Sequence, residues 1–277
     1  MIKDVILNLE HNKSRDSVRD YAITLAEAFS AHLTGVAFTD GTNNLVSLMA
    51  EFSSVHIADL LTIEQEVARN AIERYEAAVK GRLLSVEHRL VMQSYVGAPV
   101  KFSTMARRYD LSVIMQSGDE KWFNNDRIIE STLFESGRPI LVVPYIQADE
   151  LKLDRIVCCW DGSRAAARAF NDALPLLQKS KVVELLIVTN GKTAKEGVNR
   201  GVEIGSHLNR HGIRVSIEII QAEDIDVTNV ILSRVADTSS SMIVMGGYGH
   251  SRLREFILGG VTRGVLATMT VPVFISH

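Results

Sequence analysis

The sequence predicts an α/β chain. It should form two tandem, open, mainly parallel five-stranded sheets with helices on both faces. Three observations lead there. Short β-branched runs alternate with longer stretches whose apolar residues recur at helical spacing. The order of these runs occurs twice along the chain. The length, 277 residues, suits about two domains at roughly 150 residues each.

Asp4 to Leu9 (DVILNL) reads as the first strand. Arg15 to Ser30 is helical, with Val18, Ala22, Leu25, Ala26 and Phe29 on one face. His32 to Phe38 is the second strand, followed by a mixed segment from Thr39 to Leu61. Within it, Leu45 to Leu61 is apolar enough to cover a ligand or partner surface, and a satellite helix or interface is expected. A long helix spans Thr62 to Leu84, with Val67, Ala71, Tyr75, Ala78 and Val79 as its apolar stripe. Its acidic stretch, Glu64 to Glu76, is a solvated face. Val86 to Gln93 is a strand, Val100 to Arg108 a short helix, and Leu111 to Met115 a strand. Ile140 to Val143 closes the half. Strands alternating with helices call for a parallel sheet covered on both faces.

The order then restarts. Strands are expected at Arg155–Trp160, Val183–Thr189, Arg214–Ile220, Ser241–Met245 and Pro272–Ile275. Helices are expected at Arg164–Leu177, Val198–His211, Val227–Thr238 and within Glu255–Thr268. The first of these turns Ala166, Phe170, Ala173, Leu174 and Leu177 inward. Val5 and Ile156 stand 151 residues apart, Met115 and Met245 130, and Pro139 and Pro272 133. The first half therefore carries roughly 21 extra residues before its fourth strand, which fits Thr39 to Leu61. After that strand it is 3 residues shorter. The polar stretch Tyr145 to Leu153 is the expected linker, giving domains 1–147 and 151–277.

Composition narrows the function classes. Hydrophobic residues are 46% and charged residues 23%, which fits a globular chain rather than a disordered one. A net charge of −3 gives no electrostatic footprint for nucleic acid or an anionic membrane. No apolar run approaches the ~20 residues of a membrane helix. The N-terminus reads as a strand rather than a leader. Cys158 and Cys159 are adjacent, so a disulfide between them would be strained. They are expected as small apolar side chains on a strand, and a reducing cytoplasm suits them. The eight histidines are dispersed without a metal-ligand spacing. No nucleophile elbow is present.

The chemistry-bearing stretch runs from Met245 to Thr262, MGGYGHSRLREFILGGVT, between a strand and a helix. Its glycines fall at Gly246, Gly249, Gly259 and Gly260. Glycine removes Cβ and allows positive φ, so main-chain N–H groups can close on a ligand. A helix starting near Gly260 to Thr262 would add unpaired N–H groups and a favourable dipole. Together these make a phosphate cradle. Thr262 and Ser251 offer hydroxyls, Arg252 or Arg254 could reach outer phosphates, and His250 lies within the loop. A mobile glycine-rich loop is the plainer alternative. The pattern is neither GxxxxGK[ST] nor GxGxxG, and it follows the fourth strand of its half rather than the first.

A second element, Trp160-Asp161-Gly162-Ser163, ends the first strand of the second half. Ligands of open α/β sheets bind at strand carboxyl ends. Asp161 there could accept hydrogen bonds from ribose hydroxyls or an adenine amine. Asp161 or Ser163 could equally cap the helix from Arg164. Trp160 could pack beside a base or belong to the core.

Gly246-x2-Gly249-x9-Gly259 between a strand and a final helix and strand resembles the nucleotide-binding signature of the universal stress protein family. Asp161 looks like that family's acidic adenosine contact, and Val188 like the position whose backbone faces adenine. The resemblance covers the whole chain as a tandem member with two such domains. It implies a Rossmann-like, adenine nucleotide alpha hydrolase-like fold. It implies ATP or a related adenine nucleotide, with allowance for magnesium, and dimer-like pairing of domains. By the resemblance, Trp160, Asp161 and Val188 hold the adenosine. Gly246, Gly249, Gly259, Gly260, Val261 and Thr262 hold the phosphates, and Met245, His250 and Arg252 are further candidate contacts of the same loop. Gly260 stands where the family has Ser or Thr, which removes one hydroxyl.

The first half departs further. Glu10 takes the place of Asp161, Gln116 of Gly246, Asp119 of Gly249 and Asp126 of Gly259. Cβ atoms would crowd the cradle, and Asp119, Glu120 and Asp126 would repel phosphate. The expectation is a cytoplasmic, nucleotide-binding stress-response regulator with one competent site in the second half. No catalytic residue is expected. The two halves would pair as a pseudo-dimer, with a homodimer as the alternative. The competing readings are a slow ATPase or adenylyl-transfer enzyme on the same fold, and an interaction module that binds no nucleotide.

Overall fold

The computed structural model of the chain describes residues 1–11, 16–39, 54–92, 97–118, 125–147, 150–189, 194–222, 226–248 and 260–277. For 54–61 and 194–200 only the backbone is described. Among the described residues there are ten strands and eight helices. They fall into two compact units, Met1–Arg138 and Pro139–His277.

In the first unit the elements are β1 (Asp4–Asn8), α1 (Ser17–Phe29), β2 (His32–Phe38), α2 (Ser54–Val79), β3 (Val86–Val91), α3 (Gly97–Ala106), β4 (Leu111–Met115) and α4 (Asn125–Glu135). The strands lie in the order β3-β2-β1-β4. All pairs are parallel, with Val5 opposite Leu33 on one side and Leu111 on the other. β1, β2 and β4 are buried almost throughout, as strands covered on both faces must be. The Tyr75 hydroxyl on α2 donates to the Leu33 carbonyl (2.8 Å), and the ring lies where a Cβ on Gly35 would sit. Tyr109, just before β4, bonds Thr34 Oγ1 (3.2 Å) from the opposite face.

The second unit holds β5 (Ile140–Val143), β6 (Arg155–Cys159), α5 (Arg164–Lys179), β7 (Val182–Thr189), α6 (Ala194–Arg210), β8 (Val215–Gln221), α7 (Val227–Asp237), β9 (Met242–Gly246), α8 (Gly260–Thr268) and β10 (Val273–Ser276). Its order is β5-β10-β9-β6-β7-β8. All pairs are parallel except β5 against β10, where Leu141 faces Phe274 and Ile140 faces Ile275. β5, the strand expected to close the first half, falls within the second compact unit, where it pairs with β10.

The α/β architecture with helices on both faces is as the periodicity predicts. Three details differ. α2 begins at Ser54 rather than Thr62, and Gly81 at φ +78° follows its last turn. α4 has no counterpart among the expected elements. On α5, Leu176 is buried where Leu174 was expected, and Leu174 is only half-buried. Residues 40–53 of the expected covering segment lie outside the described residues.

One charge sits deep in the second unit. Glu184 on β7 is 2% exposed and takes Arg234 of α7 (2.6 and 3.1 Å) and Arg155 of β6 (3.2 Å). A lone buried carboxylate would cost several kcal/mol, so two guanidinium partners are what keep Glu184 in an otherwise apolar strand.

Candidate functional site

The parallel strands β6, β7, β8 and β9 bring their carboxyl ends to one edge of the second unit. Trp160 follows β6 and its N–H donates to the Leu186 carbonyl (2.9 Å), so the chain stays beside β7 for one more residue. Asp161 then leaves the sheet. Its Oδ1 accepts from the Ser163 N–H (2.8 Å), and Ser163 Oγ accepts from the Ala166 N–H (3.1 Å). Gly162 takes the turn at φ +80°. Of the two possible caps, Ser163 is the one that closes the N-terminus of α5. Asp161 makes the tight turn before it through Oδ1 and stays exposed.

Gly246 ends β9 against the start of α5. A Cβ there would collide with the backbone of Ala165 and Ala166. The missing side chain is thus required for packing, whatever approaches from outside. Gly247 continues alongside β10, its N–H donating to the Ser276 carbonyl (2.8 Å). Tyr248 follows at φ +58°. Its N–H donates to Thr262 Oγ1 (3.4 Å), tying the end of β9 to the first turn of α8. Thr262 is buried, and its Oγ1 accepts that bond. Gly260 opens α8, is exposed, and has nothing within 4 Å of a built Cβ. Val261 is half-buried beside it, Met245 is buried on β9, and Val188 is half-buried near the end of β7. Gly249, His250, Arg252 and Gly259 lie outside the described residues, as do Ser251 and Arg254.

Trp160 packs on Phe170 of α5, ring centroids 5.2 Å apart and tilted by 41°. Its Nε1 is shut off from solvent and among the described residues has no hydrogen-bond partner, and the same holds for Thr189 Oγ1. Thr189 has no place in the sequence reading. Its signal was a hydroxyl on the last residue of an otherwise apolar strand. Cys158 and Cys159 are free thiols. Burial pushes Cys159 up to about 12, helped by the Asp161 charge, and Cys158 well above its ordinary value. Neither is a nucleophile near neutral pH.

The matching end of the first unit is filled by its own side chains. Glu10 is 5% exposed and its Oε1 accepts from Asn125 Nδ2 (3.0 Å) at the start of α4. Arg74 of α2 donates to the carbonyls of Glu10 (3.0 Å) and His11 (2.6 Å). Gln116, at the position matching Gly246, is buried. Asp126 is exposed, while Asp119 and Glu120 lie outside the described residues.

Residues 152–277 match the Universal stress protein family. The matched segment coincides with the part of the chain that carries the glycine loop and Asp161. A universal stress protein of Synechocystis is 25% identical over 178 residues, covering 60% of this chain and 57% of the relative. The chain thus spans just over half the length of that curated relative. Among solved structures, a universal stress protein from Archaeoglobus fulgidus DSM 4304 aligns over 99% of this chain and 97% of its own. Its TM-score is 0.70 at 17% identity. A functionally unknown protein from Pseudomonas aeruginosa PAO1 aligns over 99% and 92%, with TM-score 0.62 at 13% identity. Both cover 99% of the chain, so the fold of the first unit is shared with them as well as that of the second.

Among the described residues no helix is long and apolar enough to cross a membrane. Nor does any group of three or more His, Cys, Asp and Glu come together to hold a metal ion.

Proposed function

We propose that the second unit binds ATP or a related adenine nucleotide, and that the protein is a cytoplasmic stress-response regulator with one competent site. One contrast carries the reading. Asp161 presents an exposed carboxylate oxygen at the strand ends, while its first-unit counterpart Glu10 is buried and bonded to Asn125. In this reading Oδ2 of Asp161 accepts from the ribose hydroxyls. The open backbone at Gly260 gives phosphate access to the N-terminus of α8, where N–H groups and the helix dipole favour an anion. Gly249, His250, Arg252 and Gly259 complete the phosphate loop, and Val188 offers its main chain to the base. A magnesium ion would travel with the phosphates. Binding stabilises the bound state by mass action. Regulation needs, in addition, a surface that differs between the free and bound forms.

The test is mass spectrometry of nucleotide released from freshly purified protein, with calorimetric titration of ATP. One ATP per chain is expected. Asp161→Asn keeps an oxygen for the Ser163 turn but turns an amide toward the ribose. It should weaken ATP binding about tenfold or more with an unchanged unfolding midpoint. Two equivalent sites per chain, or no binding at millimolar ATP, would overturn the proposal.

A further inference from the structure

We infer that Trp160 and Thr189 read the base of the nucleotide through their side chains. The inference rests on the nucleotide-binding reading above and adds to it the groups that select the ring. In register, Cys159 pairs with Leu186, so Trp160 continues beside Ile187, and Thr189 stands two residues further on the same face. Both residues therefore lie on adjacent strands at the carboxyl-end edge, next to Asp161.

Trp160 Nε1 and Thr189 Oγ1 are both withdrawn from solvent, and among the described residues both lack a hydrogen-bond partner. Thr189 is only 5% exposed. Its main chain is already satisfied, because its carbonyl accepts from the Ala222 N–H (2.8 Å). The indole is held by Phe170, which fixes its direction. Buried polar groups are almost always paired, and each exception asks for an explanation. Two exceptions on adjacent strands at the carboxyl end of one sheet point to a common partner.

The chemistry of the two groups limits that partner. An indole N–H only donates, so it needs an acceptor such as a ring nitrogen. A threonine hydroxyl donates or accepts, and so can take the hydrogen of an adjacent exocyclic amine. A purine edge that carries a ring nitrogen beside an amine meets both at once. Adenine has two such edges.

The experiment titrates full-length wild type, Trp160→Phe, Thr189→Val and Thr189→Ser with ATP and, separately, with inorganic tripolyphosphate. Trp160→Phe and Thr189→Val should each weaken ATP binding about five- to tenfold and leave tripolyphosphate binding unchanged. Thr189→Ser, which keeps the hydroxyl, should bind ATP like wild type. Without ligand, Thr189→Val should unfold at the same temperature as wild type or higher, because it removes an unpaired buried hydroxyl. If wild type binds ATP and both variants match it, the base-reading role is wrong and the nucleotide site stands. A lower midpoint for Thr189→Val with unchanged affinity would assign the hydroxyl to a buried water and also overturn the inference. No ATP binding by wild type would remove the site and the inference together.

Discussion

Gly246 shows how one residue can answer to two demands. The sequence assigns it to a phosphate cradle, yet its missing Cβ is already needed by Ala165 and Ala166 at the start of α5. Backbone cannot step aside as a flexible side chain can. Gly246→Ala should therefore lower stability by at least about 2 kcal/mol, read as a drop in the thermal midpoint without any ligand. An unchanged midpoint would mean that the helix start can shift. Gly260 is the opposite case, since among the described residues nothing lies within 4 Å of a Cβ placed there. At this scale the sequence identified Asp161 and Ser163 but left their roles interchangeable. Which one caps α5 depends on a hydrogen bond to Ala166 that spacing alone does not assign. Thr189 was not legible, because an orphaned hydroxyl is defined by what surrounds it.

Element by element, the strands were the most legible part. β2 and β4 have the bounds that their β-branched runs indicate. α4 was missed because its buried face is short, Ile128, Ile129, Thr132 and Leu133, and sits among polar residues. The placement of β5 has a direct consequence. A fragment of residues 151–277 keeps the segment that matches the family but lacks β5, leaving the apolar edge of β10 uncovered. The full-length chain retains the β5–β10 pair. Exposed, apolar edge strands pair with other chains. The 151–277 fragment should self-associate in sedimentation experiments, and the full-length chain should do so far less. Equal behaviour would show that β10 needs no covering strand.

For the whole molecule, the two units have gone different ways, and this sets the dependence on pH. His11 is buried in the first unit, and burial, then the nearby Arg74 charge, lowers its pKa to about 4 from an ordinary 6.5. The unfolded chain therefore binds a proton between those values that the folded chain does not. Stability from this group is fully present above about pH 6.5 and is lost as the pH falls toward 4, to a total of roughly 3 kcal/mol. Urea unfolding measured from pH 7 to pH 4 should show that slope, and His11→Gln should flatten it. A slope unaltered by the substitution would place the titration elsewhere. In the second unit Asp161 stays at the surface, whereas Glu10 of the first unit is buried.

Sequence by itself determined the fold class, the doubling of the α/β unit and the residues at the strand ends. All three follow from local periodicity and from comparing one half with the other. The tertiary structure alone decided which strand partners β5, why Gly246 has no side chain, and that Glu10 is sealed while Asp161 is open. These depend on contacts between residues far apart in the chain, and hydrophobic pattern encodes which face is buried but not what is buried against it.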